Sequence, residues 1–153
     1  KILLADEPTT ALDVTVQGQI HKLLRALVEE EKRSLIMITH SLGVVRELVD
    51  RIYVMYAGNI VENCGTAELF KNPLHPYTKA LLSAIPPENP FERHPEMKLE
   101  GEIPSPVGKQ VGCPLAGRCP NATERCHHER PALMEVEDNH RVACFLYHDK
   151  VAE

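Results

Sequence analysis

Two adjacent carboxylates, Asp6 and Glu7, close the apolar run Ile2-Leu3-Leu4-Ala5, and Pro8 stops that run from continuing. A short unbroken apolar run is the pattern of a strand buried on both faces. Ligands of open α/β sheets bind at the carboxyl ends of such strands. There one carboxylate can hold Mg²⁺, directly or through water, and its neighbour can polarise an attacking water. A bare Asp-Glu pair is more commonly two solvated acids at the start of a loop. The residues that follow weigh against that: Thr9-Thr10-Ala11-Leu12-Asp13 comes next, and Thr39-His40 ends a second apolar run, Leu35-Ile36-Met37-Ile38. Two strands joined by one helix form a parallel pair with a right-handed crossover. That arrangement puts Asp6, Glu7 and His40 on one rim, where a neutral imidazole can donate one hydrogen bond to a terminal phosphate oxygen.

The second group able to do chemistry is four cysteines near the C-terminus, Cys113, Cys119, Cys126 and Cys144, with Cys64 apart from them. Clustered cysteines in a chain without secretory features read as metal or iron–sulfur ligands before disulfides. Structural zinc usually takes cysteine pairs about two to four residues apart, and no such pair occurs. Cys113-Pro114 and Cys119-Pro120 place a proline after the thiol, as some ferredoxin ligands do. Four buried, reduced thiols in a small apolar lobe is the plainer reading. It loses weight because residues 113–148 hold few large apolar side chains, and a lobe this small needs a staple. His127, His128 and His140 are possible substitute ligands, with a surface position the default for each.

The elements needed to position these groups follow from hydrophobic spacing. Val16, Ile20, Leu23, Leu24, Leu27 and Val28 form one helical stripe. Ser41 is expected to cap a helix running through Val49. Arg51–Tyr56 and Asn59–Cys64, joined around Ala57-Gly58, read as a hairpin. Thr66 is expected to cap a short helix through Phe70, and Pro76 suits the first turn of a helix through Ile85. Residues 1–85 therefore read as β-α-β-α-β-β-α-α. Proline concentrates between Pro73 and Pro120, so a boundary is expected near Pro86-Pro87. It gives three segments: 1–85, a Pro-rich linker at 86–112, and a Cys-rich region at 113–153.

Composition excludes several classes of function. With 17 Lys and Arg against 22 Asp and Glu the net charge is −5, and there is no Trp. Such a chain is not built to coat phosphate backbones or to stack single-stranded bases, so no nucleic-acid partner is expected. No apolar run approaches the length of a membrane span, and the first residues lack a signal-peptide pattern. A cytosolic chain is expected, one that starts mid-strand as part of something longer.

The strings Leu3-Leu-Ala-Asp-Glu-Pro-Thr-Thr-Ala-Leu-Asp13, Ile38-Thr-His40 and Val54-Met-Tyr-Ala-Gly-Asn-Ile-Val-Glu62 together resemble the ATPase subunit of an ABC transporter. The likeness runs from the Walker B strand through the D-loop and H-loop. His75-Pro-Tyr-Thr-Lys-Ala-Leu-Leu-Ser-Ala-Ile-Pro86 and the tail ending His140-Arg-Val-Ala-Cys144 narrow it to the oligopeptide/dipeptide importer branch. The resemblance implies the C-terminal half of a P-loop NTPase α/β parallel sheet, followed by an irregular Cys-rich lobe. It implies Asp6 as the Mg²⁺–ATP ligand, Glu7 as the residue that orients the attacking water, His40 at the γ-phosphate, and Asp13 in a D-loop facing the partner ATPase. The implied partners are a second ATPase subunit, membrane permease subunits and, indirectly, a peptide-binding protein, at the cytoplasmic face of the membrane. For the cysteines it favours a [4Fe–4S] cluster over zinc.

The sequence also departs from that family. No Gly-x4-Gly-Lys-Ser/Thr phosphate loop occurs, Gly108-Lys109-Gln110 being no substitute, and no Leu-Ser-Gly-Gly-Gln segment is present. The 153 residues alone are therefore expected to be inactive. Two other functions stand beside the ATPase: a stand-alone metal-binding interaction module, and a redox-sensing domain.

Overall fold

The computed structural model describes residues 1–85, 97–102 and 111–148. Most of the expected Pro-rich linker, including Pro86-Pro87 and Gly108-Lys109-Gln110, lies outside the described residues. The chain is α/β, and its contacts divide it into two compact units, residues 1–50 and 51–153.

The first unit is β1 (Ile2–Asp6), α1 (Val14–Glu29), β2 (Ser34–Ile38) and α2 (Leu42–Leu48). β1 and β2 pair in parallel, with Leu4 opposite Ile36 and Asp6 opposite Ile38. Asp13 is the N-cap of α1: its Oδ1 accepts the backbone N–H of Val16 at 2.9 Å. Ser41 occupies the N-cap of α2 as expected, but its side chain makes no capping bond. Instead the Thr39 hydroxyl oxygen accepts the Ser41 backbone N–H. Burial on both faces does not hold for these strands. Residues one apart point to opposite faces, so Ile2, Leu4, Ile36 and Ile38 share a face, and they are 72%, 64%, 53% and 51% exposed. Among the described residues the other face is the better covered, with Ala5 buried there, and Leu24 of α1 is buried as well. The α1 stripe faces inward at Leu24 but not at Leu23, which is exposed.

The second unit begins with the expected hairpin, β3 (Arg51–Tyr56) and β4 (Asn59–Gly65), with a register shift after Val54. Ala57 and Gly58 turn it, both at positive φ. Two helices follow, α3 (Thr66–Lys71) and α4 (Pro76–Ser83). Gly65, not Thr66, is the N-cap of α3. Past the Pro-rich stretch come a 3₁₀ turn at Ala116–Arg118, α5 (Glu124–His128), β5 (Met134–Glu137), β6 (His140–Val142) and α6 (Phe145–His148). The region expected to be irregular thus contains two strands. They are four and three residues long, too short for alternation to show in the sequence. They complete an antiparallel sheet of order β3-β4-β6-β5. The hairpin and the Cys-rich segment therefore share one sheet, although composition shifts near Pro86. The core of this unit is built on Val61, Leu69, Leu74, Leu115 and Val142.

Candidate functional site

The β1–β2 rim carries the first group. Parallel register puts Asp6 beside Ile38, and the Glu7 backbone N–H donates to the Ile38 carbonyl at 2.8 Å. The chain then turns sharply, with Glu7 at φ 44° and Ala11 at φ 63°, a region that non-glycine residues seldom occupy. The turn swings the Glu7 side chain toward the end of β2. There Nδ1 of His40 lies 2.8 Å from Glu7 Oε1, and the Thr10 hydroxyl donates to Oε2 at 2.8 Å. The His40 bond, and then the Thr10 bond, hold the Glu7 carboxyl below the usual carboxylate range. Gln17 on α1 steadies the loop by donating to the carbonyls of Thr9 and Leu12. Glu7 and His40 are thus brought into direct contact on the rim that also carries Asp6. Asp13 sits at the end of the same loop, its carboxylate occupied as a helix cap. Thr10 and Gln17 were not foreseen; the Thr-x6-Gln spacing alone carries no chemical signal.

Four of the five cysteines of the second unit, Cys113, Cys119, Cys126 and Cys144, line one cavity of about 330 Å³, together with His75, Leu115 and Phe145. Cys113 precedes the 3₁₀ turn, Cys119 ends it, Cys126 lies in α5 and Cys144 lies just before α6. The loop closes on a 2.7 Å bond from the Cys113 backbone N–H to the Cys126 carbonyl. Gly112 makes that approach possible. It sits at φ +83°, and a Cβ there would lie 2.5 Å from the Cys126 oxygen and 2.6 Å from that of His127. Burial pushes the Cys144 thiol up to about 11 and raises Cys113 and Cys119 as well. Cys64, buried elsewhere in β4, is pushed up to about 12, first by burial and then by Glu62. A tetrahedral zinc site holds its sulfurs about 3.8 Å apart, given a Zn–S bond of roughly 2.3 Å. Among the described residues no three of the cysteine sulfurs lie within 4.8 Å of one another. The donor set is all thiol, but it is spread more widely than one zinc ion draws its ligands.

His75 starts α4 as expected. Its Nδ1 accepts the Tyr77 backbone N–H at 3.1 Å, and burial pushes its pKa down to about 4, which keeps the ring neutral. The default surface position fails for His140. It is 1% exposed, and its Nε2 lies 2.7 Å from Oε1 of Glu62, which is itself fully buried. Glu62 also accepts the backbone N–H groups of Leu74 and His75, at 2.7 and 2.9 Å. Glu62 gives no sign of this in the sequence, where it reads as one polar residue in a hairpin strand.

Residues 61–126 match the family model described as "Oligopeptide/dipeptide transporter, C-terminal region". The whole chain is 44% identical to the oligopeptide transport ATP-binding protein AppD of Bacillus subtilis, of which it covers 46%. Over nearly its whole length the chain is similar to the ATP-binding proteins of oligopeptide and dipeptide ABC transporters. Two further proteins of that kind are about as similar. Identity is 47% over 146 residues with the oligopeptide transport ATP-binding protein OppF of Salmonella typhimurium, spanning 94% of this chain and 43% of OppF. It is 44% over 144 residues with the dipeptide transport ATP-binding protein DppF of Haemophilus influenzae, spanning 94% of this chain and 44% of DppF. The chain spans about half the length of the curated relatives it matches. The family-model match takes in Glu62, His75, Gly112 and three of the four clustered cysteines, and Cys144 lies beyond it. Among the described residues no helix is long and apolar enough to cross a membrane.

Proposed function

We propose that the chain is the C-terminal half of an ATPase subunit that powers ATP-dependent import of oligopeptides or dipeptides. The observation that carries this reading is the contact between Glu7 and His40 at the ends of adjacent parallel strands, in a chain whose relatives bear peptide-transport names. In this reading Asp6 holds Mg²⁺ bound to ATP. Glu7 stays ionised through its bonds to His40 and Thr10, and orients and polarises the attacking water. The carboxylate accepts a hydrogen bond from His40 Nδ1–H, so Nε2 is the ring nitrogen left for the γ-phosphate, and it donates there when the ring is protonated. Asp13 caps α1 and so fixes the loop that would face a second ATPase subunit. The phosphate cradle comes from the rest of the longer protein, whose remaining strands would cover the apolar face of Ile2, Leu4, Ile36 and Ile38. Permease subunits and a peptide-binding protein complete the machine, with the ATPase peripheral on the cytoplasmic side. The 153 residues alone are inactive.

Cys113, Cys119, Cys126 and Cys144 are the residues that would hold a [4Fe–4S] cluster, with zinc as the alternative. The shared cavity and the spread of the sulfurs support the larger group. Raised thiol pKa values mean that loading releases protons and weakens as pH falls. The group would staple a small lobe rather than carry electrons. A stand-alone metal-binding or redox-sensing module is the second reading, favoured by the four thiols converging on one cavity.

The test uses the full-length subunit reconstituted with its permease. Glu7→Gln is expected to lower ATP hydrolysis by about a hundredfold or more while ATP binding persists, and His40→Ala is expected to impair hydrolysis as well. Hydrolysis indifferent to both changes overturns the assignment. So does Glu7-dependent turnover by residues 1–153 alone.

A further inference from the structure

We propose a second metal site, for a single first-row divalent cation, built from His140, Glu137 and Glu68 and separate from the four cysteines. It begins with the proton on His140. Both carboxylate oxygens of Glu62 already accept backbone N–H groups, so in the bond to His140 Nε2 the ring is the donor. Nδ1 is then the free nitrogen. It is buried and has no hydrogen-bond partner among the described residues. It faces acids: Glu137 Oε2 lies 3.9 Å away. A carboxylate oxygen of Glu68 completes a group whose three ligand atoms lie within 4.8 Å of one another. A buried nitrogen lone pair aimed at two carboxylates is repulsive unless a positive charge sits between them. A proton on Nδ1 would fill that role poorly, because 3.9 Å is beyond hydrogen-bond reach. A metal ion needs only small movements of the two acids, which reach solvent, to draw all three donors to bonding distance.

The surroundings suit a metal as well. A ligating histidine usually donates its other N–H to a carboxylate, which fixes the tautomer and raises the basicity of the ligand. Glu62 does this at 2.7 Å. Glu137 is itself oriented, since Asn72 Nδ2 donates to its Oε2 at 3.1 Å. One imidazole and two carboxylates with open positions suit Mn²⁺, Fe²⁺ or Zn²⁺ rather than a soft ion. The ligands come from α3, the end of β5 and the start of β6, so a bound ion would tie the β5–β6 hairpin to α3.

Manganese is the probe, because a hard cation leaves the cysteine thiols alone. Mn²⁺ is titrated into the full 153-residue chain and followed by electron paramagnetic resonance, with pulsed measurements for nitrogen coupling. One Mn²⁺ is expected to bind with a dissociation constant below about 100 μM and to show one imidazole ¹⁴N coupling. Glu137→Gln and Glu68→Gln are each expected to weaken binding by about tenfold or more, with unchanged far-ultraviolet circular dichroism. Glu31→Gln, on the other unit, is expected to leave it unchanged. Bound manganese without nitrogen coupling, or affinity indifferent to both Gln variants, overturns the site. So does the absence of binding in this range.

Discussion

The ring of His140 and the carboxylate of Glu62 meet at 2.7 Å, although 78 residues separate them in sequence. Both side chains are shut off from solvent. A buried carboxylate is tolerated only where its lone pairs are taken up. Here the imidazole and the backbone N–H groups of Leu74 and His75 take them. One side chain thus fastens three pieces of the second unit: β4, the turn into α4, and β6.

Replacing Glu62 tests that fastening. Glu62→Ala strands two buried backbone N–H groups and removes the partner of a buried ring. The expected loss is about 3 kcal/mol or more, read as a lower midpoint in urea unfolding. Glu62→Gln keeps the size and one carbonyl acceptor, so a smaller loss is expected. A midpoint for Glu62→Ala equal to that of the unchanged chain would contradict the clamp.

Gly112→Ala is expected to be far more harmful than an ordinary loop substitution. A methyl at φ +83° meets backbone oxygens of Cys126 and His127, which cannot swing aside as a side chain would. The combined strain is about 2 kcal/mol or more. It acts on the bond that closes the cysteine loop. The checks are a thermal melt and the rate at which a thiol reagent labels Cys113 and Cys144. Faster labelling with a lower melting temperature is expected; unchanged rates would show that the contact is unimportant.

The Glu7 carboxyl titrates below the ordinary range because His40, then Thr10, bond to its charged form. His40→Ala is therefore expected to move it upward, and Thr10→Ala to move it upward by less. Carboxyl ¹³C chemical shifts followed against pH give the direct measurement. The sign for folding is that of a depressed acid. The stabilisation is present above the ordinary carboxylate value and lost as pH falls through the lowered one. A Glu7 titration untouched by either substitution would mean that the rim contacts do not persist in solution.

Much of this architecture is legible in the residues. The order of the first eight elements, the parallel β1–β2 pair and the placement of Glu7 and His40 on one rim follow from apolar runs ending in polar residues, a local signal; their direct contact does not. What escapes is non-local. The partnership of Glu62 with His140 joins strands far apart in the chain, and neither residue looks unusual among its neighbours. β5 and β6 are too brief for periodicity to reveal. Burial on both faces of β1 and β2 fails for a related reason: an apolar run states what a strand requires, and among the described residues nothing covers Ile2 and Leu4.

Strand order has a consequence for synthesis. β6, at residues 140–142, is translated after β3, β4 and β5, yet it lies inside the sheet, between β4 and β5. The hairpin of β3 and β4 leaves the ribosome long before its neighbour exists, and until then β4 presents an unpaired edge of the kind that invites aggregation. A stop codon anywhere between the two would release a polypeptide that cannot bury Glu62 beside its ring. Such a product would be marked for proteolysis by its own incompleteness.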